Sequence, residues 1–399
     1  MAILCALLAV ACRDAGERSG SRTLEVWFHA SEGPERELME DQVERFNESH
    51  TGITVLLRLL PEGPYEDQVA EAAVDGTLPD VLDVDRLTLA GGEAGPLLPM
   101  DDLLTMEVLD SLVTEIAVTG RVGNHLVGAP STTEVILLAA DRAEMRAIGA
   151  DVPSGVAEPW TREEFEEVLR DSTAHFGSPA LELPGNPVEL GMALEALVRS
   201  AGAPLVPDES TKGHATAVGV LTAPAAVVTA TIVSRWIRDG LAAITPPDVE
   251  EQPAPFALVR SGQIPPRHAT AVPPDLGGGV ASVALGHMWV IPKSSQYPTE
   301  AAELVSFLLA PDEVAATAAV TGGVPTVRIV LDRLLESALA RHRAAALAAR
   351  MLLAHLAPPV PVWRNPLSLL AAYGAAVTAA GEGARVRSAL RAAANDEAA

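Results

Sequence analysis

Apolar and polar positions fall into alternating blocks along the chain. Thr23–Phe28 predicts a strand, and Pro34 then opens a helix in which Leu38, Met39, Val43 and Phe46 recur at helical spacing while Glu35 and Glu37 occupy the first turn. Ile53–Leu59 predicts a second strand, Tyr65–Val74 a second helix with Val69 and Ala73 inward, and Val81–Val84 a third strand. Strands alternating with helices imply a parallel sheet with right-handed crossovers, and such sheets hold ligands beyond the carboxyl ends of their strands. The loops after Phe28 and Val84 are therefore the first places to look for a site.

Further along, Leu126–Ala129 and Val135–Ala139 read as strands on either side of Pro130-Ser131-Thr132-Thr133, a junction that suits a crossing between domains. Thr161 and Glu164 form a capping box, and Trp160 with Phe165 a hydrophobic staple, so Trp160 reads as structural. Helices are expected over Val188–Ser200 and Pro224–Asp239, and the Pro- and Gly-rich stretch Gln252–Gly279 reads as loops. Val280–Leu285 and Met288–Ile291 return as short strands. Helices then run over Thr299–Leu309 and Asp312–Val320, followed by Ala-rich helices to the end.

Length and composition narrow the field. At 399 residues and 48% hydrophobic the chain has material for two or three domains. Its formal charge of -25 repels phosphate backbones and argues against nucleic acid as a partner. The charge is uneven: from Leu331 onward eight arginines face five acidic residues, so the acidity belongs to the earlier part. Lys212 and Lys293 are the only lysines, which leaves Schiff-base or phosphate-loop chemistry almost without candidates. Glu163, Glu164, Glu166 and Glu167 occupy the first turns of one capped helix and read as dipole-matching charge rather than as catalytic acids. The histidines show no paired ligand spacing, and no cofactor or metal is indicated.

Met1–Ala11 is an uncharged apolar run of the length of an export-signal core, too short for a spanning helix. Ala9-Val10-Ala11-Cys12 resembles a bacterial lipoprotein junction, which implies lipidation of Cys12 and residues 1–22 as signal peptide and polar tether. Both cysteines, Cys5 and Cys12, fall in this segment, so the folded body has no cysteine for a disulfide or a metal.

The body resembles the extracellular solute-binding proteins of bacterial ABC importers, in the subgroup that mostly takes sugars. The pieces that carry the resemblance are Val26-Trp27-Phe28-His29, Thr51-Gly52-Ile53-Thr54-Val55, Gly76-Thr77-Leu78-Pro79-Asp80-Val81 with Asp85, Leu98-Pro99-Met100-Asp101-Asp102-Leu103, Val259-Arg260-Ser261-Gly262, Trp289-Val290-Ile291-Pro292 and Thr321-Gly322-Gly323-Val324-Pro325, in order along the chain. The resemblance implies an α/β, two-lobed periplasmic-binding-protein-like fold of type II with a hinged cleft. Residues 23–130 plus 290–327 would form one lobe and 134–288 plus 328–395 the other. It implies a monomer that captures a carbohydrate without covalent chemistry and delivers it to the transmembrane permease subunits, held to the membrane only by its lipid. An envelope sensor with a degenerate cleft is the alternative. Ligand contacts implied in the first lobe are His29, Ser31, Glu35 and Asp85, with Ser131 and Thr132 at the crossing, and Trp289 and Trp363 as the aromatic candidates. Tyr65 reads as packed. Where sugar binders usually carry aromatics, this chain has Ala90-Gly91-Gly92-Glu93-Ala94-Gly95, Val135-Ile136-Leu137-Leu138-Ala139-Ala140 and Ile264-Pro265-Pro266-Arg267-His268, so a stacking platform is missing.

Overall fold

The computed structural model describes residues 21–30, 32–60, 64–93, 95–207, 216–245, 254–363 and 365–397. The segment expected to direct export, with Cys12, and Ser31 lie outside the described residues.

The chain builds two sheets. In the first, β1 (Arg22–His29), β2 (Ile53–Leu60) and β3 (Val81–Asp85) run parallel, linked by α1 (Pro34–Ser49) and α2 (Pro64–Asp75), and α3 (Arg86–Gly91) leaves β3 directly. After α4 (Met106–Ser111) comes a small hairpin of β4 (Arg121–Val122) and β5 (His125–Leu126). The chain then enters the ten-residue β6 (Thr132–Asp141), the axis of the second sheet. That sheet is completed by β7 (Leu181–Pro184), β8 (Ala242–Thr245), β9 (Phe256–Arg260) and β10 (His268–Ala271), in the order β10-β6-β9-β7-β8. Around it stand α5 (Arg142–Ile148), α6 (Arg162–Phe176), α7 (Pro187–Ser200), α8 (Ala217–Leu221) and α9 (Pro224–Arg238).

The chain crosses back through β11 (Ala284–Leu285), which pairs with β6, into β12 (His287–Val290), which joins the first sheet antiparallel to β3. His287 and Met288 thus stand in the first sheet. After α10 (Pro298–Leu308) and α11 (Pro311–Thr321), β13 (Val324–Pro325) pairs with the start of β6, and α12 (Arg328–Glu336), α13 (Arg343–Leu353), α14 (Pro366–Gly381) and α15 (Val386–Glu397) finish the chain.

Unbroken apolar runs such as Val135–Ala140 are what a sheet covered on both faces requires. In β6, Ile136, Leu138 and Ala140 enter one core while Val135, Leu137 and Ala139 enter another on the opposite face. In β1, Leu24, Val26 and Phe28 point to one side and Trp27 to the other, where Tyr65 and Val69 of α2 cover it. The expected capping box at Thr161 and Glu164 is formed, and Trp160 lies on Phe165 with ring centroids 5.8 Å apart.

One expectation is corrected. Gln252–Gly279 is not all loop: β9 and β10 lie within it and flank β6 on both sides. The prolines that suggested loops sit at the strands' ends, with Pro255 just before β9 and Pro265 and Pro266 between the two strands, where a missing N–H costs no ladder bond.

Helix α7 is buried from Leu190 to Ser200. It approaches α14 backbone to backbone: a Cβ on Gly191 would sit 2.2 Å from the Leu370 carbonyl oxygen, and one on Gly374 would sit 2.4 Å from that of Pro187. Within α7, Glu195 accepts from Arg199 Nε at 2.7 Å and from the Leu205 amide at 2.8 Å, and Arg199 donates on to the Pro358 carbonyl. Removing one partner of such a buried pair strands the other charge, so Glu195→Ala should lower the unfolding free energy by about 3–5 kcal/mol in urea denaturation. A loss below about 1 kcal/mol, the range of a solvent-exposed pair, would contradict the assignment.

Candidate functional site

The site is assembled where β1, β3 and β12 end. Asp83 on β3 is buried and ionised, and both His29 at the end of β1 and His287 at the start of β12 donate an Nδ1–H to its Oδ2, the latter at 2.8 Å. The two imidazoles lie stacked, centroids 3.6 Å apart and 15° from parallel. Tyr65 closes the other side, donating its hydroxyl to the Asp83 carbonyl. Burial would raise the Asp83 carboxyl, but the two imidazoles outweigh it and hold it at about 2. Burial likewise opposes charge on His287, and Asp83, helped by Asp85, pushes it up to about 9.

The chain of charges continues outward. His287 Nε2 lies 3.8 Å from Asp85 Oδ2, whose partner oxygen caps α3 by accepting from the Leu87 amide at 2.7 Å. Asp85 Oδ2 faces Arg260, at the end of β9 in the second sheet, at 3.6 Å. Arg260 in turn faces Glu134 at 3.5 Å, and Glu134 accepts from the Gly262 amide. Asp85 and Glu134 outweigh burial and hold the Arg260 guanidinium above its ordinary pKa. A second tie runs through Arg86, which is buried and donates to the carbonyls of Val360, Thr119 and Arg121; burial lowers its pKa to about 10.

Over this floor opens a cleft of about 1580 Å³ with walls from both sheets: His29, Glu35, Glu66, Asp85 and His287 on one side, Asn186, Glu189, Met192, Arg260 and Gln263 on the other. A smaller recess of about 490 Å³ adjoins it beside Phe28 and Trp289. Among the described residues, no Phe, Tyr or Trp lines the larger cleft. Its polar groups include the carboxylates of Glu35, Glu66, Asp85, Glu134 and Glu189, which accept hydrogen bonds, beside the Arg260 guanidinium and the hydroxyls, amides and imidazoles of the other polar residues. His29, Asp83 and His287 also have the composition of a metal site, their donor atoms lying within 4.8 Å of one another. Each imidazole, however, already donates to the shared Asp83 oxygen.

Of the residues singled out from the sequence, His29, Glu35, Asp85 and Thr132 line the larger cleft. Ser131 and Trp289 line only the recess; Trp289 is buried and stacked on Phe28 with centroids 5.6 Å apart. Trp363 packs half-buried against the core of the second sheet, and its amide donates to the Ala90 carbonyl at 3.1 Å. Sequence reasoning passed over Asp83, Glu134, Arg260 and His287 as site residues. The one available signal was a polar residue at the end of an apolar strand, as in Val84-Asp85 and Val259-Arg260.

The model of the bacterial extracellular solute-binding protein family matches residues 30–315. The chain belongs to that family. No curated protein sequence matches this solute-binding protein at a significant level. Among solved structures it is similar to the cyclic α-maltosyl-1,6-maltose binding protein of Arthrobacter globiformis, at 18% identity and TM-score 0.75, covering 95% of this chain and 98% of that one. It is also similar to a maltose-bound protein of T. maritima, at 19% identity and TM-score 0.72 over 94% and 99% of the two chains. The UgpB protein of Mycobacterium tuberculosis in complex with glycerophosphocholine matches at 18% identity and TM-score 0.72 over 95% and 98%. These likenesses establish the two-lobed fold, with one sheet in each lobe and the cleft between them.

The histidine cluster makes stability depend on pH. An imidazole whose pKa rises on folding from about 6.5 to about 9 stabilises the fold fully below the lower value and loses that contribution as pH rises through the upper one. Asp83, lowered to about 2, contributes above its ordinary value and fails only in strong acid. The melting temperature should therefore fall between pH 6.5 and 9.5, and His287→Gln should flatten that fall. Parallel profiles for the two proteins would show that His287 is not charged in the native state.

Proposed function

We propose that this solute-binding protein is the extracytoplasmic, lipid-anchored capture component of an ABC importer for a sugar or oligosaccharide. The observation that carries the reading is the cleft of about 1580 Å³ whose two walls belong to different lobes and are lined by hydrogen-bonding side chains. A sugar presents hydroxyl donors all round its ring, and ionised carboxylates are acceptors only, so Glu35, Glu66, Asp85 and Glu189 suit its hydroxyls while Arg260 donates to an oxygen without a proton. Two structural relatives carry maltose or a maltosyl-maltose in their descriptions, which supports a carbohydrate. With no Phe, Tyr or Trp among the described residues of the cleft walls, affinity rests on hydrogen bonds and on exclusion of water at closure rather than on a large stacking ring.

The lobes comprise residues 23–130 plus 287–327 and 134–286 plus 328–395, the whole of β12 standing with the first sheet. They close about the crossings near Pro130, Gly286 and Val327. Ligand contacts are His29, Glu35, Asp85, Thr132 and Arg260, with Ser131 and Trp289 at the recess. The protein works as a monomer, is tethered at Cys12, presents its closed form to the permease and changes no bond in its cargo.

A thermal-shift screen with neutral mono-, di- and oligosaccharides tests this, because a ligand at a hundredfold its Kd adds about 2.7 kcal/mol to the native state. At least one carbohydrate should raise the melting temperature, and Arg260→Gln should weaken that ligand tenfold or more in calorimetry. A flat response across the whole panel would contradict capture of a sugar and favour the sensor alternative.

A further inference from the structure

On the second lobe, away from the cleft, a groove of about 1070 Å³ is edged by four arginines: Arg142 and Arg146 of α5, and Arg343 and Arg350 of α13. Among the described residues, no carboxylate lines it. Among the described residues, none of these four guanidiniums makes an ion pair or a hydrogen bond, although the chain carries a formal charge of -25 and ion-pairs arginines elsewhere, at Arg45, Arg199 and Arg260. Arg142 is half-buried, and its Nε is sealed from solvent with no partner.

Of the acids on α5 and at its cap, Asp141 is committed otherwise, and Glu144 pairs with none of the four arginines. Asp141 caps α5, accepting from the Ala143 and Glu144 amides, and its other oxygen lies 3.9 Å from His268. Burial, together with Asp141, raises the Glu144 carboxyl. The local field is positive enough to register on its neighbours. Burial lowers the Arg142 pKa and the arginines at 343 and 146 lower it further, while His268 is lowered by burial and, in part, by Arg267 and Arg142.

Uncompensated like charges gathered in one groove call for a counter-ion of matching valence. We infer that this groove binds a phosphate-bearing anion. Guanidinium forks match phosphate oxygens two at a time, whereas a single carboxylate satisfies only one fork. The hydroxyls of Ser154 and Thr270 stand among the guanidiniums as further donors. Buried Met145 and Leu347 form an apolar floor, which strengthens each ionic contact by keeping water from one side. The site is independent of the sugar cleft. The phosphate belongs either to a free solute or to the headgroup of an anionic lipid at the membrane on which the protein is tethered.

The test uses the full chain produced without acylation, at physiological salt. Calorimetry with inorganic pyrophosphate reports the free solute, and co-sedimentation with phosphatidylglycerol vesicles, against phosphatidylcholine alone, reports the headgroup. Binding in at least one arm is expected. In the Arg142→Gln/Arg343→Gln double variant it should be weakened tenfold or more, with circular dichroism unchanged, whereas Arg391→Gln, the same loss of charge outside the groove, should leave it within twofold. No binding in either arm, equal loss in the Arg391→Gln control, or binding of polyglutamate in place of both phosphate probes would each overturn the inference.

Discussion

Asp83 sits at the point where two strand ends and the cleft floor meet, and a buried carboxylate there is tolerated only because two imidazoles donate to one of its oxygens. That requirement fixes much of the surrounding geometry. It pulls His29 and His287 into a stack, which in turn anchors the start of β12 at the edge of the first sheet, and it presents the far nitrogen of His287 to Asp85. Asp85 then reaches Arg260 in the other lobe. The run of paired groups from Asp83 through His287, Asp85 and Arg260 to Glu134 therefore links the strand ends of one lobe to those of the other without closing the space above them.

The chemistry of the cleft follows from the same arrangement. Five carboxylates on its walls are acceptors, and Arg260 is held between two of them, so a guest rich in hydroxyl donors finds partners there. Rigidity behind the walls comes from close backbone packing, as between α7 and α14, and from the buried Glu195–Arg199 pair that holds the break at Pro358.

Much of this was legible in the pattern of residues. Parallel strands pointed to the loops after Phe28 and Val84, the family resemblance implied His29, Glu35 and Asp85 as contacts there, and the lack of aromatics at three loop or strand positions anticipated a larger cleft without Phe, Tyr or Trp among its described residues. The Arg-rich bias after Leu331 foreshadowed Arg343 and Arg350 beside the groove. What stayed hidden depends on pairing across long stretches of chain. Arg260 meets Asp85 only once β9 has been laid against β6, and β9 itself was masked by the prolines on either side of it. Trp289 was chosen as a lone large aromatic near the cleft, but alternation along β12 turns its ring onto Phe28. Asp83, in an otherwise apolar strand, showed nothing of its two partners until β1 and β12 were in place.

The absence of cysteine beyond Cys12 makes a direct measurement of lobe motion simple. Spin labels on Val74→Cys in α2 and Val228→Cys in α9, both exposed, report one distance across the cleft by pulsed electron resonance. With a carbohydrate that binds, the distance distribution should narrow and move to shorter values, and Arg260→Gln should leave part of the population at the longer distance. A distribution unchanged at saturation with a bound carbohydrate would contradict a cleft that works by closing.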